Sequence, residues 1–103
     1  MSNGGTRNLQ IEITARHFKA PKMLRTFVEK EIRKLSRYFD GVLDYHIILS
    51  HEQGMKVVEI TAHSKKHHFS SNDSDPKMDR AVVMAVEKMK AQLNRHKEKL
   101  ISK

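Results

Sequence analysis

The chain has 103 residues and no cysteine, and its 20 Lys and Arg residues exceed its 12 Asp and Glu residues to give a net charge of +8 at pH 7. This length fits one small domain with a thin core. The lack of cysteine excludes a disulfide framework and thiol chemistry, and no apolar run approaches the ~18 residues of a membrane span. The charge predicts attraction to nucleic acid or to an anionic membrane surface.

A flexible terminus, a strand and a helix are predicted in the first part of the chain. Met1–Arg7 contains Ser, Asn and two glycines and is expected to be flexible, so that a single domain occupies residues 8–103. Leu9–Thr14 alternates apolar and polar residues, as a half-buried strand does. A helix follows from Pro21, with its apolar side facing the core, and Asp40-Gly41 is expected to end it in a left-handed cap.

Three further strands and a second helix are predicted in the rest of the chain. Tyr45–Ser50 and Lys56–Ser64 show strand patterns on either side of a Gln-Gly turn. His67–Ser70 is predicted to form a short fourth strand. Ser71–Pro76 is rich in turn residues and is interpreted as a turn whose polar side chains cap the last helix. That helix is predicted over Asp75–Lys103.

The last helix has two sides with different chemistry. Apolar residues recur at spacings of three and four, which places them on one face: Met78, Val82, Val86, Met89, Leu93 and Leu100. A row of cations lies roughly opposite, at Lys77, Lys88, Arg95 and Lys99, with Lys90 and Lys97 on one flank. Taken alone, this row of cations fits an ordinary solvated surface helix as well as it fits a helix that binds a polyanion. Met, Val and Leu on the apolar face, without Trp or Phe, favour core packing over a membrane-surface helix.

The first helix carries a second cationic row, and the two rows together favour nucleic-acid binding. The order β-α-β-β-β-α predicts an α+β fold, with an antiparallel four-stranded sheet and both helices on one face. The two helices would then present their outer faces on the same surface. The residues predicted to contact RNA are Lys30, Arg33, Lys34, Arg37, Lys88, Arg95 and Lys99.

Chemical alternatives are weaker. His63, His67 and His68 could suggest a metal site, but the segment is predicted as strand or turn, where histidines at this spacing do not converge, so exposed hairpin histidines are the preferred interpretation. Tyr38 and Phe39 could stack on bases, although a core position for Phe39 and a half-buried Tyr38 are preferred. No phosphate loop, nucleophile elbow or catalytic carboxylate pair is found. We therefore expect no enzyme activity, cofactor, metal or small-molecule substrate.

Four segments in this order resemble the ribosome hibernation promoting factor family, which includes the ribosome-associated inhibitor A proteins and is also called the sigma-54 modulation protein family. They are Ile11-Glu12-Ile13-Thr14; Val28-x3-Ile32-x-Lys34-Leu35-x2-Tyr38-Phe39; His46-Ile47-Ile48-Leu49; and Lys88-Met89-x2-Gln92-Leu93-x2-His96-Lys97-x-Lys99-Leu100. The resemblance implies a fold like a double-stranded-RNA-binding domain. It also implies binding to ribosomal RNA of the small subunit, in the channel for messenger RNA and the A- and P-site transfer RNAs.

Carried over by position, the resemblance assigns RNA contacts to Lys34, Arg37, Lys88, Arg95 and Lys99, which the helical periodicity also selects. The family's Asp-Met-Tyr-x-Ala-Ile-Asp run is replaced here at the start of the last helix. Neither the dimerisation domain of long family members nor the acidic tail of the inhibitor A type follows, so a short form is expected. The resemblance also implies a cytoplasmic protein. The alternative is a generic double-stranded nucleic-acid-binding module. Such domains normally have the order α-β-β-β-α, so the leading strand favours the hypothesis of a ribosome-binding factor.

Overall fold

The computed structural model describes residues 9–39 and 41–101, with side chains up to Glu98, and shows the predicted α+β order β-α-β-β-β-α. One four-stranded sheet has the spatial order β1-β2-β3-β4. The elements are β1 (Gln10–Ala15), α1 (Lys22–Tyr38), β2 (Asp44–Glu52), β3 (Met55–His63), β4 (His68–Asp75) and α2 (Met78–Ile101). The predictions for Met1–Arg7 lie outside the described residues, as do those for Asp40 and for the side chains of Lys99 and Leu100.

The sheet is mixed, so the prediction of an antiparallel sheet is wrong at one edge. β1 pairs in parallel with β2, with Ile13 opposite Ile47, whereas β2, β3 and β4 pair antiparallel. The reason is the connection between the strands. α1 returns the chain to the end of the sheet where β1 began, and such a helical crossover joins parallel strands. The two hairpins join antiparallel neighbours.

Both helices cover one face of the sheet, and the core lies between these layers. Burial alternates along β2 and β3, so that Ile47 and Ile60 are fully enclosed while their chain neighbours are half-buried. α2 packs over β3 and β4, and α1 lies beside α2 with a smaller contact on β1. The predicted apolar face of α2 is confirmed at Val82, Val86, Met89 and Leu93, which are buried together with Ala81 and Ala85.

The fourth strand is longer than predicted, and the turn predicted over Ser71–Pro76 is wrong. β4 continues to Asp75 and pairs with β3 along its whole length, up to Asp75 opposite Lys56. Polar residues are tolerated there because β4 is an edge strand with one face open to solvent. On the helix-facing side, Ser71 is buried and its Oγ donates to the carbonyl O of Ala85 at 2.9 Å. A hydrogen bond from the strand to α2 therefore replaces apolar packing at this position.

The helix boundaries follow from local contacts at each end. α1 ends at Tyr38, and its C-cap residue Phe39 is extended (φ −141°, ψ 109°). A Cβ on Gly41 would lie 3.0 Å from the Phe39 ring, so a glycine here allows the ring to lie against the backbone. Before α2, a carboxylate oxygen of Asp75 accepts the backbone N–H of Lys77 at 2.9 Å. Lys77 precedes the first helical residue, so this bond forms an Asx turn that leads into α2 and does not show the predicted side-chain cap of a helical N–H.

Candidate nucleic-acid interface

Charge is segregated between the two faces of the molecule. The open face of the sheet carries acidic side chains at Glu12, Asp44, Glu52 and Glu59. On that face the four described strands carry no Lys or Arg. Lys56 is the one lysine or arginine in these strands, and it lies on the same side of β3 as the buried Val58, which faces the helices. The cations are instead concentrated in the two helices and the loops. The helix layer therefore carries a net positive charge, and the open sheet face carries a net negative charge.

The predicted cations of α1 project away from the core. Lys30, Arg33, Lys34 and Arg37 are all exposed, opposite the buried side of the helix. Arg33 and Lys34 form ion pairs within the helix, with Glu29 at 2.9 Å and with Glu31 at 3.1 Å respectively. The cationic side chains of both pairs are more than half exposed, and such pairs contribute little stability. Among the described residues, Lys30 and Arg37 have no carboxylate partner. All four side chains are accessible to a phosphate.

The predicted cations of α2 lie on the flank that faces β4. Lys88 is exposed and reaches back over the edge strand, where its Nζ lies 3.2 Å from a carboxylate oxygen of Asp73 and donates to the carbonyl O of Asn72 at 3.3 Å. Hydrogen bonding from the Ser74 N–H, followed by the contact with Lys88, lowers the pKa of Asp73. Arg95 is also exposed and lies two turns further along the same flank. We call Lys88 and Arg95 the edge patch.

Two cations that were not among the predicted site residues lie at the junction between the helices. The ammonium groups of Lys90 and Lys97 lie 5.3 Å and 4.5 Å from the centre of the Tyr38 ring. The Tyr38 hydroxyl donates to Asn94, and Lys97 Nζ donates to the carbonyl O of Tyr38 at 3.4 Å. These contacts dock the end of α1 onto α2. Tyr38 is half-buried, as the preferred interpretation of the sequence expected.

The structure therefore divides the cations into two patches. Lys90 and Lys97 face α1, while Lys88 faces β4, so opposite flanks of α2 carry them. The four cations of α1 lie on the exposed side of the helix whose last residue, Tyr38, contacts Lys90 and Lys97. We call this group the junction patch: Lys30, Arg33, Lys34, Arg37, Lys90 and Lys97. The sequence pattern placed Lys90 and Lys97 on a flank of the helix, but only the position of Tyr38 shows which flank faces α1.

The histidines of the β3–β4 hairpin pair with neighbours individually. His63 Nδ1 lies 2.7 Å from a carboxylate oxygen of Asp44, and the His63 and His68 rings pack edge to face at 4.6 Å. Within residues 9–39 and 41–101, no group of three or more His, Asp or Glu side chains is arranged to hold a metal ion. No helix in this part of the chain is long and apolar enough to cross a membrane.

Comparison with known proteins identifies similar sequences and folds. The family described as "Sigma 54 modulation protein / S30EA ribosomal protein" matches residues 11–101. A ribosome hibernation promoting factor of Azotobacter vinelandii is 28% identical over 95 residues, covering 92% of this chain and 89% of the relative. A ribosomal subunit interface protein from Coxiella burnetii superposes with a TM-score of 0.82 at 20% identity, covering 86% of this chain and 98% of that one. The N-terminal domain of Thermus thermophilus Protein Y gives a TM-score of 0.72 at 24% identity, over 88% and 98% of the two chains.

Proposed function

The chain belongs to the sigma 54 modulation protein / S30EA ribosomal protein family, and from this premise we propose that it is a ribosome hibernation factor that binds ribosomal RNA of the small subunit through its helix layer. The observation that carries this proposal is the segregation of charge. Every predicted RNA-binding cation with a described side chain is exposed on the helices, and the open sheet face is acidic.

The mechanism follows from charge and shape and requires no chemical step. Lys and Arg side chains that approach RNA phosphates release condensed counterions, which gives strong affinity with little dependence on base sequence. The proposed binding site is the channel for messenger RNA and the A- and P-site transfer RNAs. A folded domain seated there excludes both RNAs by its volume, so translation stops while the ribosome stays intact. This activity takes place in the cytoplasm.

The two patches suit a folded RNA cavity better than a single straight duplex. The junction patch lies over α1 and the space between the helices, whereas the edge patch lies on the far flank of α2, beside β4. A cavity wall that surrounds the helix layer can supply phosphates to both patches at once. Structured RNA is recognised largely through such fits of shape and phosphate position.

A charge-reversal experiment tests the proposal. We expect the variant Lys34→Glu/Arg37→Glu/Lys88→Glu/Arg95→Glu to lose co-sedimentation with small subunits and to stop inhibiting translation in vitro. All four side chains are exposed, so the thermal midpoint should change little. Because four reversals also change the net charge, the paired variants Lys34→Glu/Arg37→Glu and Lys88→Glu/Arg95→Glu are measured against a control of equal charge.

The matched control is Arg16→Glu/Lys19→Glu, which reverses two exposed cations in the loop between β1 and α1. It should retain most of its ribosome binding. If the variant with all four helix cations reversed is folded and still inhibits translation with unchanged affinity, the helix layer is not the RNA-binding surface. Equal affinity of the unmodified chain for duplex DNA, duplex RNA and ribosomes at physiological salt would instead identify a generic nucleic-acid-binding module.

A further inference from the structure

A groove with aromatic walls opens at one end of the molecule, where α1 ends, β3 turns into β4, and α2 completes its last turns. It has a volume of about 460 Å³ and is lined by Phe39, Gly41, Leu43, Ser64, Lys65, Lys66, His67 and His96. Sites for small organic ligands typically span roughly 300–1,000 Å³. We call this feature the hairpin groove. None of its lining residues belongs to the two patches described above.

Aromatic rings form part of the groove's lining. The His67 and His96 rings pack against each other with centroids 4.4 Å apart, and Phe39 meets His96 edge to face at 5.8 Å. The buried Phe69 supports this row from below, at 5.3 Å from His96 and 6.2 Å from His67. Leu43 adds an apolar side chain that is 42% exposed. His67 is exposed, and Phe39 and His96 are half-buried, so the row is accessible at its outer end.

The tip of the hairpin holds two cations at the rim of this groove. Ser64 N–H donates to the carbonyl O of His67 at 2.9 Å, and His67 N–H donates to Ser64 Oγ at 3.2 Å. These two bonds close a tight turn that presents Lys65 and Lys66 to solvent. Neither lysine has a carboxylate within 4.0 Å among the described residues. The turn therefore fixes two accessible ammonium groups next to flat ring surfaces.

Arg95 links the hairpin groove to the edge patch. A second depression, lined by Phe69, Gln92, Arg95 and His96, shares the His96 side chain with the hairpin groove. The guanidinium of Arg95 is exposed there. Arg95 on one side, and Lys65 and Lys66 on the other, thus border two depressions that share the His96 ring.

We propose that the hairpin groove binds one unpaired nucleotide of RNA, with its base against the imidazole and phenyl rings and its phosphates on Lys65 and Lys66. The chemistry favours this ligand because a nucleotide combines a planar π-surface with a neighbouring anion, and the groove offers the complement of both. A base inside a duplex is stacked on its neighbours and is not available to the rings, so the nucleotide must be unpaired. The inference rests on the proposed function, which supplies RNA as the partner.

The test uses the full chain, labelled for NMR of its aromatic rings, and a single-stranded RNA pentamer of adenosines. The matched probe is an abasic pentamer with the same phosphates. We expect the pentamer to move the ring signals of His67 and Phe39, and the abasic probe to bind at least about fivefold more weakly, as the loss of one stacked base predicts. Equal binding of the two probes, or equal shifts caused by an acidic peptide of the same charge, would overturn the proposal.

Substitutions at His67 separate stacking from charge. His67→Ala should weaken binding of the pentamer by about fivefold or more, whereas His67→Tyr should restore it by returning a ring face. His51→Ala is the control, since His51 is another exposed histidine whose ring packs on Phe18 at 4.9 Å, outside the groove. Lys65→Gln/Lys66→Gln should weaken both probes. Unchanged affinity of a folded His67→Ala variant would contradict a stacking role.

The outcomes for the groove and for the proposed function are distinguishable. If the chain sediments with small subunits but the pentamer leaves the His67 ring signals unmoved, the groove proposal fails and the hibernation proposal stands. If the pentamer binds at His67 but the chain does not associate with ribosomes, the groove proposal stands and the hibernation proposal fails.

Discussion

In the proposed complex, the contact between Lys88 and Asp73 would control how readily this lysine reaches an RNA phosphate. In the free chain its ammonium lies 3.2 Å from the Asp73 carboxylate, so binding RNA requires an exchange of one anion for another. Because hydrogen bonding lowers the pKa of Asp73 from its ordinary value of 3.8, the competing carboxylate is ionised at neutral pH. Its contribution to stability is present above that ordinary value and is lost only as the pH falls through the lowered pKa.

Removing this competing charge should therefore strengthen ribosome binding. Asp73→Asn keeps an oxygen that can accept the Ser74 N–H, which Asp73 now accepts at 2.8 Å, and releases Lys88. We expect an affinity about two- to fivefold higher, in line with the small free energy of an exposed ion pair. Filter binding or sedimentation with small subunits measures the change. Glu12→Gln on the open sheet face is the control and should have no effect; a decrease for Asp73→Asn would mean that the pair orients Lys88 for RNA.

Tyr45 carries a polar group that the core does not satisfy. Its side chain is 1% exposed, and its hydroxyl has no hydrogen-bond partner among the described residues. An unsatisfied buried hydroxyl costs about 1–3 kcal/mol. Tyr45→Phe should thus raise the free energy of unfolding by about 1 kcal/mol, or the thermal midpoint by about 4–8 °C. A clear loss of stability in thermal unfolding would show that the hydroxyl is satisfied in solution.

The same residue should limit stability in alkali. Burial raises the pKa of Tyr45 above its ordinary value of 10.0, so the folded chain retains a proton that the unfolded chain releases. This contribution is fully present below pH 10 and is lost as the pH rises towards the raised pKa. Between pH 10 and the raised pKa, the free energy of unfolding should fall more steeply with pH for the unmodified chain than for Tyr45→Phe. Parallel curves would contradict the assignment.

At the scale of elements, the proposed function gives α2 two separable tasks, packing and RNA contact. Leu93 is fully buried at the centre of its apolar face, whereas Arg95, two residues later, is exposed. Leu93→Ala should lower the free energy of unfolding by about 2–5 kcal/mol through the cavity it leaves. Ribosome binding should then be lost only at temperatures where the variant unfolds. Loss of binding by a chain that circular dichroism shows to be folded would mean that packing and contact are coupled.

The helices could be predicted from the sequence because their apolar residues repeat with the helical period, and the same pattern placed the cations on exposed faces. The end of β4 could not be predicted from the sequence, because Ser71–Asp75 contains turn-forming residues and becomes a strand only through pairing with β3. Likewise, Lys90 and Lys97 join the junction patch only because Tyr38, the last residue of α1, packs against both of them. The hairpin groove requires residues from distant segments of the chain, and none of the sequence patterns relates Phe39 to His67.

For the whole molecule, the separation of basic helices from an acidic sheet predicts strong salt dependence. If the two patches contact about five to seven phosphates, the logarithm of the binding constant should fall against the logarithm of salt concentration with a slope of roughly −4 to −6. The measurement is a salt titration of small-subunit binding at constant Mg²⁺. A slope near zero would mean that the cations face solvent in the complex.

Orientation on the ribosome is the central claim, and tethered hydroxyl-radical cleavage tests it most directly. The chain has no cysteine, so single cysteines can carry an iron chelate without further changes. The positions are the exposed Thr26 on α1 and Ala91 on α2, with the exposed Glu12 on the open sheet face for comparison. We expect strong cleavage of small-subunit RNA from Thr26→Cys and Ala91→Cys and weak cleavage from Glu12→Cys. Strong cleavage from Glu12→Cys alone would contradict the account, because the sheet rather than the helix layer would then face the RNA.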